Sequence, residues 1–138
     1  MTDNASTELR QAVVRLYSRF RSERAEGEVP DAALLVLLAL DKKDQMSLSD
    51  LADSARVTLG SMSQTVRRLE QLAYVAKSRS EHDRRKVVFA LTREGRAAAA
   101  ASRKHRRDWL DTKLADLTPT ERADIARAAP ILLRIANS

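Results

Sequence analysis

The spacing of apolar residues predicts that the chain is mainly helical. Over residues 7–24, apolar side chains recur every three or four positions, which places them on one face of an amphipathic helix. Gly27 and Pro30 then interrupt the pattern. Residues 31–41 are apolar on nearly every side, as expected for a helix enclosed by other elements.

Two short helices follow, joined by a tight turn. Ser47 is the expected N-cap of a helix that ends near Ala55, and Thr58 is the expected N-cap of the next one. The apolar stripe of that second helix, which we expect to face the core, consists of Leu59, Met62, Val66, Leu69 and Leu72. Two such helices form a helix-turn-helix unit, whose second helix can enter the major groove of DNA.

The period then changes from helix to strand. Residues 74–79 and 87–91 favour β-strands, and segment 80–86 between them has no apolar residue. We therefore expect a β-hairpin with a charged tip.

Two further helices complete the chain. Thr92 is the expected cap of a long, alanine-rich helix that ends near Leu114. Thr118 and Glu121 form a capping-box pattern, with Pro119 at the first position of the last helix. Pro130 predicts a kink or a break in that helix.

This order of elements predicts a mainly α fold with a small β-hairpin wing. We expect the 138 residues to form one domain, with a winged helix-turn-helix core over about residues 31–91. The flanking helices, over about residues 7–24 and 93–137, are expected to form a dimer.

The composition excludes several classes of site. The chain has no Cys, which excludes disulfides, thiolate nucleophiles, Cys-ligated metals and a Cys-based peroxide sensor. His82 and His105 are the only histidines and have no clustered carboxylates around them, so we expect neither a metal nor a cofactor. The first residues do not resemble a secretory signal, and the longest apolar run, residues 32–40, is too short for a membrane span. A cytoplasmic location without membrane contact is expected.

Positive charge is concentrated in the middle of the chain. Residues 56–107 carry 14 Lys and Arg against 4 Asp and Glu, a net charge of +10, whereas the remaining residues sum to −4. Such a field attracts polyanions, nucleic acid first among them. A solvated charged face is the alternative explanation.

The predicted DNA-binding surface combines the second helix of the helix-turn-helix with the hairpin tip. The face opposite the apolar stripe is polar, and Gln can pair with adenine and Arg with guanine or phosphate. At the tip, three cations stand beside Asp83, which we expect to orient an Arg toward phosphates or the minor groove. An ordinary polar hairpin turn is the alternative for the tip. The predicted residues are Thr58, Ser61, Ser63, Gln64, Thr65, Arg67, Arg68, Asp83, Arg84, Arg85 and Lys86.

The segments SLSDLADSARVTLGSMSQTVRRLEQLAYV and DRRKVVFALTREG resemble the MarR family of bacterial transcription regulators, and the similarity covers essentially the whole chain. The resemblance implies a two-fold dimer on palindromic operators, acting as a sequence-specific regulator that is usually a repressor released by a ligand. It also implies that Arg85, held by Asp83, enters the minor groove, and that Gln64, with Ser61, Thr65 and Arg68, reads or positions the major groove. Ala73 stands where the family commonly has Gly, which argues against a left-handed cap there.

Dimerisation also has a physical motive. The apolar faces of the first and last helices exceed what the winged core can cover, and the residues expected to need a partner are Leu9, Val13, Leu132, Leu133 and Ile135. A small-molecule effector pocket has only weak candidates, Tyr17, Phe20 and Trp109, because aromatics at helical spacing more often belong to a core or an interface.

Two other classes of function are alternatives to a regulator. The chain has no glycine-rich phosphate loop, no Ser or Cys nucleophile with a His partner and no carboxylate pair in an apolar setting, so it is not expected to be an enzyme. The remaining alternative is a winged-helix or architectural protein that binds double-stranded DNA without operator specificity, since basic charge alone supports such binding.

Overall fold

The computed structural model describes residues 2–23, 27 and 29–138. Over these residues the order of elements is α1 (Thr2–Ser22), α2 (Asp31–Lys43), α3 (Leu48–Ala55), α4 (Leu59–Gln71), β1 (Val75–Arg79), β2 (Val87–Leu91), α5 (Arg93–Ala115) and α6 (Pro119–Ala136). The mainly helical fold with a two-stranded wing is confirmed. The chain divides into two compact units, Met1–His105 and Arg106–Ser138.

The terminal helices differ from the predicted bounds. α1 begins at Thr2 instead of Thr7, and a hydrogen bond from the Asn4 side chain to Glu8 (3.1 Å) supports the added turn. The predicted end of this helix, Arg24, lies outside the described residues. α6 is one helix with Pro130 inside it, so of the two predicted effects, a kink or a break, the break is wrong. No helix among the described residues is long and apolar enough to cross a membrane.

The core of the first unit is built around α2. Its residues Ala33, Leu34, Val36, Leu37 and Leu40 are buried, whereas Leu35 is exposed. α3 contributes Leu51 and Ala52 to the same cluster, and the wing contributes Val75 and Phe89. Other elements cover most faces of α2, which explains why apolar residues occur nearly all round this helix.

The apolar stripe of α4 is only partly in this core. Met62, Val66 and Leu69 are buried, as predicted. Leu59 and Leu72, at the two ends of the stripe, are 54% and 46% exposed, so their assignment to the core is wrong. The stripe extends beyond the elements that cover α4.

Capping residues fix the two helices of the helix-turn-helix. The Ser47 hydroxyl accepts a hydrogen bond from the backbone N–H of Asp50, whose carboxylate accepts one from the Ser47 N–H. The Thr58 hydroxyl likewise accepts from the backbone N–H of Ser61 (3.1 Å). Both predicted N-caps are therefore present, and Arg56 closes α3 in a left-handed conformation.

The wing forms as predicted, except that β1 begins at Val75 instead of Tyr74 and a bridge to Met46 is added. β1 and β2 pair antiparallel, from Val75 opposite Leu91 to Arg79 opposite Val87. In addition, Met46 exchanges two backbone hydrogen bonds with Phe89, at 3.1 and 2.8 Å. This single-residue bridge joins the segment before α3 to the wing.

The base of the wing is held by a cluster of close backbone contacts. Ala73 adopts a left-handed conformation with φ of 62°, so the expectation against a left-handed cap is wrong. Its carbonyl accepts a 2.6 Å hydrogen bond from the Thr92 hydroxyl, which in turn caps α5 by accepting from the Gly95 N–H. A Cβ on Gly95 would lie 1.9 Å from the carbonyl oxygen of Tyr74. These contacts impose the left-handed geometry even though Ala pays steric strain to adopt it.

We expect Ala73→Gly to stabilise the fold by about 0.5–1 kcal/mol, because Gly removes the left-handed strain at a smaller entropic cost. Ala100→Gly, at an exposed position inside α5, is the matched control and should destabilise by about 1 kcal/mol. Urea unfolding of both variants measures the difference. Equal destabilisation by the two substitutions would contradict the strain at Ala73.

Candidate nucleic-acid interface

α4 presents its predicted polar face to solvent. Ser61, Gln64, Arg67 and Arg68 are exposed, and Ser63 and Thr65 are partly buried at the margins. Burial of the opposite side against α2 and the wing fixes this orientation. The face therefore offers an amide, two guanidinium groups and hydroxyls to a ligand.

Two of the predicted contact residues already use their hydroxyls within the helix. Thr58 caps α4, and Thr65 donates a 3.2 Å hydrogen bond to the carbonyl oxygen of Ser61, one turn earlier. Thr65 therefore has only acceptor capacity left in this rotamer. Ser61 and Gln64 retain the side-chain groups best suited to read a base edge.

The polar face of α4 is flanked by two shallow hollows. One, of about 210 Å³, lies between Gln64, Thr65 and Arg68 of α4 and Pro30, Ala32 and Ala33 at the start of α2. The other, of about 300 Å³, lies toward the wing and is lined by Leu48, Ser63, Val66, Arg67, Glu70, Lys77, Val87 and Phe89. Residues of α4 line both hollows, as expected for a helix that projects from the surface.

At the wing tip, Asp83 holds Arg85. The Arg85 guanidinium donates to Asp83 from Nε to Oδ1 (3.2 Å) and from Nη2 to Oδ2 (3.5 Å), and the Arg85 backbone N–H donates to Oδ1 (3.1 Å). The side chain of Arg85 nevertheless remains 89% exposed. The tip thus presents an oriented guanidinium group to solvent.

The electrostatics of the tip favour the charged form of Asp83. Its hydrogen bonds from the Arg85 side chain and backbone, with the nearby charge of Lys86, hold the pKa of the Asp83 carboxyl below its usual value. Asp83 is therefore ionised at neutral pH. Lowering the pH through that depressed pKa would protonate the carboxylate and release Arg85.

Two residues that the sequence analysis did not select also shape the tip. Arg79 donates from Nη1 to the carbonyl oxygen of Arg84 (2.9 Å), and the Ser80 hydroxyl accepts from the backbone N–H groups of His82 and Asp83. Periodicity could not reveal these roles, because both side chains act on loop backbone. Arg84 and Lys86 themselves are exposed.

The residues predicted to form a dimer are exposed within their own units. On α1, Leu9 and Val13 are 41% and 51% exposed. On α6, Leu132, Leu133 and Ile135 are 39%, 62% and 59% exposed. Each helix therefore carries apolar surface that its own unit leaves in water.

The weak effector candidates lie in different parts of the chain. Tyr17 donates a hydrogen bond to Asp31 (3.2 Å), and Arg21 pairs with the same carboxylate at 3.1 Å. Tyr17 and Arg21, with Val14, Ser18 and Ser22, line an open hollow of about 550 Å³ on α1. Phe20 is partly buried on the same helix, whereas Trp109 belongs to the second unit.

The two histidines have different surroundings. His82 is exposed in the wing tip, whereas the ring of His105 is partly buried and hydrogen-bonds to the backbone carbonyl of Glu23. Across the described part of the chain, no group of three His, Asp or Glu side chains is arranged to hold a metal ion.

Comparison with known proteins agrees with this geometry. The MarR family model matches residues 28–86. An uncharacterised HTH-type transcriptional regulator of Mycobacterium bovis is 27% identical over 132 residues, which cover 96% of this chain and 92% of that protein.

Two solved structures extend the similarity to the fold. A candidate transcriptional regulator of Pseudomonas aeruginosa is 28% identical with a TM-score of 0.81, covering 98% of this chain and 94% of its own. BpsR of Bordetella bronchiseptica, whose DNA binding is regulated by 6-hydroxynicotinic acid, is 25% identical with a TM-score of 0.72, covering 96% and 93%. The Mycobacterium and Pseudomonas proteins are both described as transcriptional regulators. The chain is therefore similar to the MarR family over residues 28–86 and has the same winged-helix fold as these solved structures.

Proposed function

We propose that this protein is a MarR-type transcription regulator that binds double-stranded DNA sequence-specifically, as a homodimer on a palindromic operator, and represses transcription until a small molecule releases it. The observation that carries the proposal is the pairing of two features on one unit: an outward polar face on α4 and an oriented, exposed Arg85 on the wing. A basic surface alone would support only non-specific binding.

The two features suit different parts of a duplex. α4 has the dimensions to enter a major groove, where Gln64 can pair bidentately with adenine and Arg68 can contact guanine or phosphate. Arg85, held by Asp83, suits a narrow minor groove or its phosphates, because its planar group is already oriented. Base reading by α4 and anchoring by the wing together favour operator specificity over compaction of DNA.

The dimer is supported by exposed apolar surface on α1 and on α6. Burying residues such as Val13 and Leu133 against a second copy removes that surface from water. A two-fold dimer then carries two recognition helices, which requires half-sites about 10 base pairs apart in a palindrome.

Release by a small molecule is supported by the hollow on α1 and by the relative BpsR, which responds to 6-hydroxynicotinic acid. Tyr17 and Arg21 both contact Asp31, the first residue of α2. The neighbouring residues Ala32 and Ala33 line a hollow with Gln64 and Arg68. A ligand that displaced Asp31 from its partners would therefore disturb the surroundings of the recognition helix.

The decisive experiment compares operator with random duplex. An operator is selected from a random DNA library with the full chain, and dissociation constants are measured for both duplexes across a salt series. We expect the operator to bind about a thousandfold more tightly, as is usual for specific regulators. A ratio near one at every salt concentration would favour the alternative, an architectural DNA-binding protein.

Substitutions separate the two parts of the site. Gln64→Ala should weaken discrimination at one operator position by about 1–3 kcal/mol, because a bidentate base contact is lost. Arg85→Ala should weaken binding to all sequences and reduce the salt dependence by about one counterion. Binding curves on single-base variants of the operator measure both effects. Wild-type behaviour of both variants would show that the reading surface lies elsewhere.

The dimer is tested by placing charge on the exposed apolar surfaces. We expect the wild type to be a dimer at micromolar concentration, and Val13→Glu or Leu133→Glu to shift it toward monomer and weaken operator binding, because a buried charge is costly. Gln45→Glu, at an exposed site between α2 and α3, is the control and should remain dimeric. Light scattering gives the mass. A monomeric wild type, or a dimer unaffected by either substitution, contradicts the proposal.

A further inference from the structure

Leu59 is an exposed apolar side chain at the start of α4. Its spacing from Met62 and Val66 assigns it to the core, yet it is 54% exposed while those two residues are 3% and 2% exposed. It occupies the first position of α4, the end of a recognition helix from which base contacts are commonly made.

A second exposed apolar residue, Val57, lies two positions before Leu59, and its backbone is held by a hydrogen bond. Val57, in the turn before α4, is 42% exposed, and its backbone N–H donates to the carbonyl oxygen of Ala52 at 3.0 Å. Between them, Thr58 caps α4. The two side chains therefore project from a turn whose backbone is held on both sides, which lowers the entropic cost of using them in a contact.

The chemistry around this apolar pair indicates what covers it. The first turn of α4 has no acidic residue, and the polar residues Ser61 and Gln64 follow directly along the exposed surface of the helix. Gly60, next to Leu59, is exposed, and a Cβ placed there would meet open space. A duplex can therefore approach this end of α4 closely and without charge repulsion. The apolar group that a major groove offers is the 5-methyl of thymine.

We propose that Leu59, supported by Val57, is a specificity-determining residue that contacts the 5-methyl group of one thymine in each operator half-site. The inference rests on the proposed function, since it requires α4 to lie in the major groove. It adds an apolar contact to the hydrogen bonds expected from Gln64, so that the recognition helix distinguishes thymine from cytosine by shape as well as by polarity.

The test removes only the methyl group. In the selected operator, each thymine is replaced in turn by uracil, which keeps every hydrogen-bonding group, and binding is measured for the wild type and for Leu59→Ala. For the wild type we expect one position in each half-site at which uracil weakens binding about fourfold per contact, as for the loss of one buried methyl group. Leu59→Ala should abolish this penalty while keeping the base preference assigned to Gln64.

Two variants control for general effects. Leu59→Met keeps an apolar side chain and should retain the uracil penalty. Leu35→Ala removes a Leu with the same 54% exposure from α2 and should leave the penalty unchanged. Thermal unfolding of each variant shows whether the fold is intact.

The outcomes separate this inference from the proposed function. If operator and random duplex bind equally, the proposed function fails and this inference falls with it. If the operator is preferred but uracil has no effect at any position, or an equal effect on wild type and Leu59→Ala, only the role of Leu59 is overturned. A change in the mass of the free protein on Leu59→Ala would instead assign the apolar pair to a contact between protein copies and overturn it as well.

Discussion

The packing of α4 against α2 is the constraint on which the proposed DNA-binding surface depends. Met62, Val66 and Leu69 insert into the core around α2, and their burial fixes the rotation of α4 about its own axis. Rotation by one residue, about 100°, would turn these side chains toward water and Gln64 away from it. The apolar residues thereby determine which polar residues can meet a base.

The wing depends on a second constraint, at its base. The Ala73 carbonyl accepts a hydrogen bond from the Thr92 hydroxyl, and the Tyr74 carbonyl lies against the bare Cα of Gly95. This close approach fixes where the chain passes from α4 into β1. The Met46–Phe89 bridge fixes the same hairpin from the side of α3. Because the tip is carried by a hairpin anchored at both places, the position of Arg85 follows from contacts far from the charges themselves.

The fold was largely predictable from local signals. N-caps at Ser47, Thr58 and Thr118 marked where helices begin, and the change of period at residue 74 marked the wing. Signals that depend on tertiary contacts failed. Leu59 has core spacing, but more than half of its surface stays exposed in the described part of the chain. Ala73 lacks the flexibility of Gly, but hydrogen bonds at the wing base impose its conformation.

Site residues could be predicted where the residue type alone indicates a role. They could not be predicted where the role depends on the geometry of the folded chain. The proximity of Asp83 to Arg85 in sequence suggested their pairing, since a carboxylate two residues from an Arg can reach it. Arg79 and Ser80 gave no such signal, because a side chain bonded to loop backbone has no characteristic spacing. Charge concentration indicated DNA, yet the exposed apolar pair at the start of α4 contributes nothing to charge. Under the proposed function, an affinity for polyanions and a preference for particular bases therefore arise from different residues on the same surface, and only the first can be inferred from composition.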